Sequence, residues 1–166
     1  MDEITSPQQM RRVLGSFATG VVVVTGDDDG IPVGFTCQSF ASVSLDPPLV
    51  LFCAAHTSLS WPRIRRSGRF AVNVLANDQQ AVGMSFAVSG ADKFATVGWQ
   101  PTPWGPCLDG SLASVLCDVE DIYRAGDHDI VVGRVGRLVL HREIGPLVFF
   151  RGAFGLATQG EVRATS

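Results

Sequence analysis

At 166 residues the chain is long enough for one domain with a sizeable core and calls for no second one. A net charge of −3, with lysine nearly missing, argues against a nucleic-acid or anionic-membrane surface. Hydrophobic residues at 46%, charged residues at 17% and a mean hydropathy of +0.23 imply more apolar surface than one small core hides, which points to an oligomer. The longest apolar run, residues 49–55, is far short of the ~20 residues that span a bilayer, and the acidic Met1-Asp2-Glu3 precedes no apolar run. The expectation is a cytoplasmic protein without a membrane or nucleic-acid partner.

Ser6, Pro7 and Gln9 form a capping box, and Met10, Val13, Leu14 and Phe17 follow at helical spacing. An amphipathic helix docked on a sheet is therefore expected, ending at Gly20. The β-branched run 21–25 reads as a strand, Asp27-Asp28-Asp29-Gly30 as a hairpin turn, and residues 31–36 as the returning strand. Asp46-Pro47-Pro48 turns the chain into an apolar strand, 49–55. The hydroxyl-rich loop His56-Thr57-Ser58-Leu59-Ser60 leads into a short helix carrying Arg63, Arg65, Arg66 and Arg69, either a solvated face or a clamp for a phosphate-bearing ligand.

Residues 70–76 read as a strand, and Asn77-Asp78-Gln79-Gln80 caps a second helix covered by Ala81, Val82, Met84, Phe86 and Val88. Residues 90–110 read as a long loop. Strands follow at 112–123, 129–141 and 146–150, with Gly133 and Gly136 marking bends or bulges, and the tail from about residue 157 is polar. Many short strands with few helices predict a mainly β domain: a barrel with helices packed outside.

Cys37, Cys53, Cys107 and Cys117 have no metal or C-x-x-C spacing and read as buried, reduced small hydrophobes; no metal is expected. The chain lacks G-x-G-x-x-G after a strand, a P-loop, H-E-x-x-H and G-x-S-x-G, so a dinucleotide would bind without a Rossmann domain. From Thr36 to Ser44, hydroxyls recur along an extended ribbon whose small side chains admit a flat polar ligand against the backbone. Each hydroxyl there reads equally well as a solvent-facing or cross-strand group.

The stretch Gly34-Phe35-Thr36-Cys37-Gln38-Ser39-Phe40-Ala41-Ser42-Val43-Ser44-Leu45-Asp46-Pro47-Pro48 resembles the flavin-contacting segment of the short-chain flavin reductases, the reductase halves of two-component flavin monooxygenases. Phe70-Ala71-Val72-Asn73-Val74-Leu75, Asp92-Lys93-Phe94 and Gly126-Asp127-His128 with Val132-Gly133-Arg134-Val135 resemble that family in the same order. The resemblance implies an FMN-binding split β-barrel of Greek-key type, one domain over residues 1–166, paired as a homodimer.

It further implies an NADH- or NADPH-dependent flavin reductase that supplies reduced FMN or FAD to a separate oxygenase. The rival readings are a split-barrel oxidase or reductase that retains FMN, and a flavin-binding protein that turns nothing over. By the same resemblance Phe35, Thr36, Cys37, Gln38, Ser39 and Ser42 are ring-side candidates, and Ala55, Thr57, Ser58 and Lys93 lie near the phosphate. Phe94 is placed against the flavin or its partner, and His128 on the nicotinamide side. Arg151, after two phenylalanines in a Gly-flanked turn, reads equally well as a surface arginine on an edge strand or as a ligand-facing one. Cys37 and Gln38 depart from the small or hydroxylated residues many relatives carry there.

Overall fold

The computed structural model describes residues 6–90 and 92–155. The polar tail from residue 157 and the acidic opening lie outside the described residues. In chain order the elements are α1 (Pro7–Leu14), β1 (Thr19–Gly20), β2 (Val22–Asp28), β3 (Ile31–Cys37), β4 (Ala41–Leu45), β5 (Pro48–Ala55), α2 (Trp61–Ser67) and β6 (Arg69–Val74). They continue as α3 (Gln80–Ala87), β7 (Trp99–Gln100), β8 (Cys107–Leu108), β9 (Ala113–Ala125), β10 (His128–Leu140), β11 (Val148–Phe150) and β12 (Ala153–Phe154). The protein is mainly β, as its short β-branched runs predict.

Seven strands form the principal antiparallel sheet in the order β3-β2-β6-β9-β10-β5-β4; β1-β11-β12 and β7-β8 make two smaller sheets. The outermost strands of the large sheet, β3 and β4, are consecutive in the chain and joined by residues 38–40 alone. Laid flat, seven strands would separate those edges by about 29 Å at ~4.8 Å per step, whereas four Cα–Cα steps reach ~15 Å at most. The sheet therefore curls until its edges approach. The Cys53 amide on β5 donates to Ser39 Oγ at 2.8 Å across that approach.

Both faces of the curled sheet are buried at β2. Val22 and Val24 enter one core with Val33, Phe52, Trp61, Ile64, Phe70 and Val131. Val21 and Val23 enter a second with Leu75, Phe86, Leu108 and Leu147. The run of four valines thus follows strand alternation with apolar cover on both sides. The hairpin after β2 forms as predicted: Asp29 and Gly30 both take positive φ, and Gly30 N donates to Asp27 Oδ1 at 2.7 Å. The β9–β10 pairing slips at Gly133 and again across Gly136, the two positions where bulges were expected. A side chain at Gly133 would collide with the Phe70 ring and come within 3.0 Å of Cys117 Cβ, so glycine here leaves room for Phe70, whose ring centroid lies 5.0 Å from that of Phe52.

Three expectations change. Ser6 caps α1 as anticipated, accepting from Gln9 N at 3.1 Å, but the helix stops at Leu14 and none of its residues is buried. Met10, Val13, Leu14 and Phe17 remain exposed, Phe17 at 78%, because among the described residues no sheet covers this face of the helix. Residues 36–44 are not one ribbon: β3 ends at Cys37, and β4 begins at Ala41 after the link that closes the sheet. The stretch 90–110 contains the short β7–β8 pair, which packs over the second core and is tied there by buried Asn73, whose Oδ1 accepts from Leu108 N at 2.9 Å.

Candidate functional site

Among the described residues β3 pairs only with β2, so its outer edge keeps backbone groups without a strand partner. An open cleft of about 680 Å³ runs along this edge. Its walls come from β3, the end of β5 with loop 56–60, the first turn of α2, the end of α3 with residues 92–94, and His128 at the start of β10. Gly34 is buried in the wall; a Cβ there would lie 3.0 Å from both the Phe86 ring and Val24 O, so only glycine lets α3 pack this close to β3.

Phe35, Thr36, Cys37, Gln38 and Ser39 all line the cleft. Two of their hydroxyls already have structural partners. Thr36 Oγ1 donates to Gly83 O at 2.5 Å, fastening α3, and Ser39 Oγ holds the Cys53 amide. The Cys37 thiol sits 3.1 Å from Ser39 Oγ, and burial pushes its pKa up. It is therefore a protonated small group at physiological pH and no nucleophile. All four cysteines are free; Cys117 is pushed up to about 12, chiefly by burial.

Ala55, Thr57 and Ser58 also reach the cleft. Ser58 Oγ accepts from Trp61 N at 3.1 Å, and Ser60 Oγ donates to Gly34 O at 2.9 Å, so loop 56–60 is braced at both ends. Lys93 Nζ donates to Gly34 O at 3.0 Å and to Phe86 O at 3.1 Å, and burial lowers its pKa. Phe94 lines the cleft while standing edge-on to Phe86 at 5.0 Å, so it belongs to the second core as well. His128 is placed in the cleft by the tight Gly126-Asp127 turn and lies beside Ala55 in register; its Nδ1 is 2.7 Å from Asp127 Oδ1. That contact holds the Asp127 carboxyl below its ordinary range.

Two candidates stand elsewhere. Ser42 pairs with Val50 on β4, beyond the link that diverts the chain from the cleft, and its side chain is exposed on the outer strand. Arg151 occupies the left-handed turn between β11 and β12, its guanidinium 4.9 Å over the Phe150 ring. It lines a separate hollow with Arg11, Arg12 and Ser16. Sequence spacing alone did not separate these two positions from the cleft.

The structure also brings in Asp129, which sequence reading passed over, and separates Arg63 from the rest of its cluster. Asp129 is buried and accepts from Trp61 Nε1 and contacts His56 Nε2, both at 2.9 Å. The only signal in the sequence was the charged Asp127-His128-Asp129 triplet, where strand alternation sends Asp129 to the opposite face from its neighbours. Arg63 lines the cleft, whereas Arg65, Arg66 and Arg69 turn to Asp129, Asp28 and Asp118.

An open β-edge offering backbone groups, hydroxyls at Thr57 and Ser58, and the cations Lys93 and Arg63 suits a flat ligand with a phosphate arm. Asp92 is an anion in the same lining. This donor set is of the chemistry a nucleotide cofactor calls for, in a mainly β fold with no Rossmann unit among the described residues.

The flavin reductase like domain matches residues 14–157. The chain is 51% identical over 153 residues to the reductase subunit HsaB of a flavin-dependent monooxygenase from Rhodococcus jostii, covering 92% of this chain and 78% of that protein. It is 44% identical over 151 residues to a flavin reductase from Pseudomonas putida, covering 90% and 89%. Among solved structures, nitrilotriacetate monooxygenase component B from Mycobacterium thermoresistibile superposes with a TM-score of 0.87 at 46% identity, over 96% of this chain and 90% of that one. The NADH:FAD oxidoreductase of Streptomyces globisporus, solved with NAD and FAD fragments, gives 0.86 at 34% identity over 96% and 99%. The chain belongs to the flavin reductase family.

Proposed function

We propose that this protein binds oxidised flavin along the free edge of β3, accepts hydride from NADH or NADPH, and releases reduced FMN or FAD to a separate oxygenase. The observation that carries the reading is the convergence of Phe35, Thr36, Cys37, Gln38, Ser39, Ala55, Thr57, Ser58, Lys93, Phe94 and His128, drawn from four distant segments, on one cleft. Relatives named as reductase subunits or components of monooxygenases support the oxygenase partner.

Bound flavin would supply the hydride acceptor and carry the electrons away. The protein's own task is placement. The β3 edge and its small flanking side chains let a flat ring approach the backbone, with amides available to its polar rim. The Thr57, Ser58 and Lys93 side chains supply hydroxyls and positive charge for the phosphate arm. His128, fixed by Asp127, orients the nicotinamide; hydride transfer requires no general base, so the imidazole contributes position and not proton transfer.

We further infer a single domain over residues 1–166, closed as a Greek-key split β-barrel, working in the cytoplasm as a homodimer. The short link between β3 and β4 supports the closure. The uncovered apolar face of α1, with Phe17 and with Leu45, Leu138 and Leu140 also exposed, supports pairing.

Purified protein with NADH and catalytic free flavin is expected to oxidise NADH continuously under air. Flavin binding with no nicotinamide consumption would reduce the protein to a flavin carrier. Flavin that survives gel filtration, with no response to added flavin, would instead make it an FMN-retaining enzyme.

A further inference from the structure

Four arginines cluster on and just after α2, and the structure gives each a different situation. Arg66 donates to Asp28 Oδ1 at 2.7 Å, Arg65 approaches Asp129 at 3.7 Å, and Arg69 donates to Asp118 at 3.1 Å while lying 6.0 Å over the Trp104 ring. These three are surface pairs on a solvated face. Arg63 differs because it also lines the flavin cleft. Its Nε donates to Asp28 Oδ2 at 2.6 Å, and no partner of its two terminal nitrogens is found among the described residues.

From this arrangement we propose that Arg63 is the residue that reads the flavin's phosphate, with Asp28 as its positioning residue. This rests on the cleft being the flavin site. The guanidinium is a rigid planar fork, so tying Nε to a carboxylate fixes where the two terminal NH2 groups lie. Asp28 is itself fixed at the β2–β3 turn, and its two oxygens hold two arginines, which keeps the carboxyl ionised and leaves net positive charge around the pair.

Arg63 N donates to Ser60 O at 3.1 Å, which places the side chain one helical turn beyond the hydroxyls of Thr57, Ser58 and Ser60. Lys93, the other cation in the lining, already gives hydrogen bonds to two carbonyls. Lys93 thus keeps one of its three N–H donors, whereas both terminal NH2 groups of Arg63 remain to offer, and a phosphate is the anion whose geometry such a fork matches. The phosphate of FMN and the diphosphate of FAD share this chemistry, and riboflavin lacks it.

The experiment titrates apo-protein with riboflavin, FMN and FAD by fluorescence quenching, in wild type, Arg63→Gln, Arg63→Lys and Asp28→Asn, with circular dichroism as the folding control. Arg63→Gln is expected to weaken FMN binding about tenfold or more while riboflavin stays within about threefold; Arg63→Lys should recover part of the loss. A loss confined to FAD supports the same role on the outer phosphate. Should Arg63→Gln fail to fold, Arg63→Lys and Asp28→Asn carry the test, each weakening phosphorylated flavins and sparing riboflavin. Equal losses for all three flavins, unchanged affinities, or an effect seen only in the KM for NADH or NADPH would overturn the assignment. Wild-type protein that binds no flavin at all would instead refute the flavin site itself.

Discussion

Trp61 and Asp129 join α2 to β10 through one hydrogen bond: the indole Nε1 donates to Asp129 Oδ2 at 2.9 Å within the buried wall behind the cleft. The other carboxylate oxygen contacts His56 Nε2, also at 2.9 Å. One carboxylate therefore fastens the hydroxyl loop, the arginine helix and the strand that begins at His128.

This predicts an acid-sensitive joint. The Trp61 hydrogen bond first, then that of His56, holds the Asp129 carboxyl below its usual value of 3.8. A depressed folded-state pKa gives stability that is complete above the unfolded value and lost as pH falls through the folded one. Asp129→Asn should cost about 1–3 kcal/mol at neutral pH, because it weakens hydrogen bonds between partly buried groups. Urea denaturation should show the gap from wild type narrowing below about pH 4; a gap unchanged with pH would mean the carboxylate charge contributes nothing.

His128→Ala is expected to lower kcat/KM for the nicotinamide substrate by roughly ten- to a hundredfold, while flavin Kd changes by less than about threefold. Steady-state kinetics beside flavin titration checks this. Equal losses on both ligands would place His128 on the flavin instead.

Ser39 and Ser42 should separate cleanly. Ser39→Leu removes the partner of the Cys53 amide and fills the ring side of the cleft, so flavin affinity should fall more than about tenfold, or ~1.4 kcal/mol. Ser42→Leu, out on β4, should leave flavin Kd within about twofold. Comparable losses in both variants would extend the site onto β4.

The uncovered α1 face predicts the assembly state. Val13→Asp combined with Phe17→Asp places charge on two exposed apolar positions, so the fold should survive while sedimentation shifts from dimer to the 17.7 kDa chain. A wild-type chain that sediments as a monomer at micromolar concentration with full activity would remove the dimer.

Gly133→Val forces a side chain against Phe70 and Cys117 at the β10 bulge. The expected cost is about 1–3 kcal/mol of stability from overpacking, read as a lowered denaturation midpoint. An unchanged midpoint would mean that Phe70 moves aside freely.

Much of this molecule is determined by short-range chemistry and is legible in the chain. The Ser6 cap, the Asp29-Gly30 and Gly126-Asp127 turns, the valine strands and the two glycine bulges each depend on local backbone preference or period-two alternation. The flavin-reductase motifs are also contiguous words, and so Phe35 to Ser39, Thr57, Ser58, Lys93 and His128 could be gathered before any fold was known.

What only the tertiary structure decided is which neighbours in sequence part company in space. Ser39 and Ser42 separate because three linking residues carry the chain from one sheet edge to the other. Arg63 and Arg66 part from Arg65 because helix geometry turns successive side chains by about 100°, so that both meet Asp28 on a hairpin 35 residues before Arg63, and of the two Arg63 alone also lines the cleft. The α1 helix, whose apolar spacing promised a docked face, stays bare because amphipathicity states that a face must be covered and not by what. Asp129 became a buried anchor only once His56 from a loop and Trp61 from the start of α2 arrived from more than sixty residues away. Contacts of that range depend on how the sheet closes, a property of all the strands together that no single stretch of sequence carries.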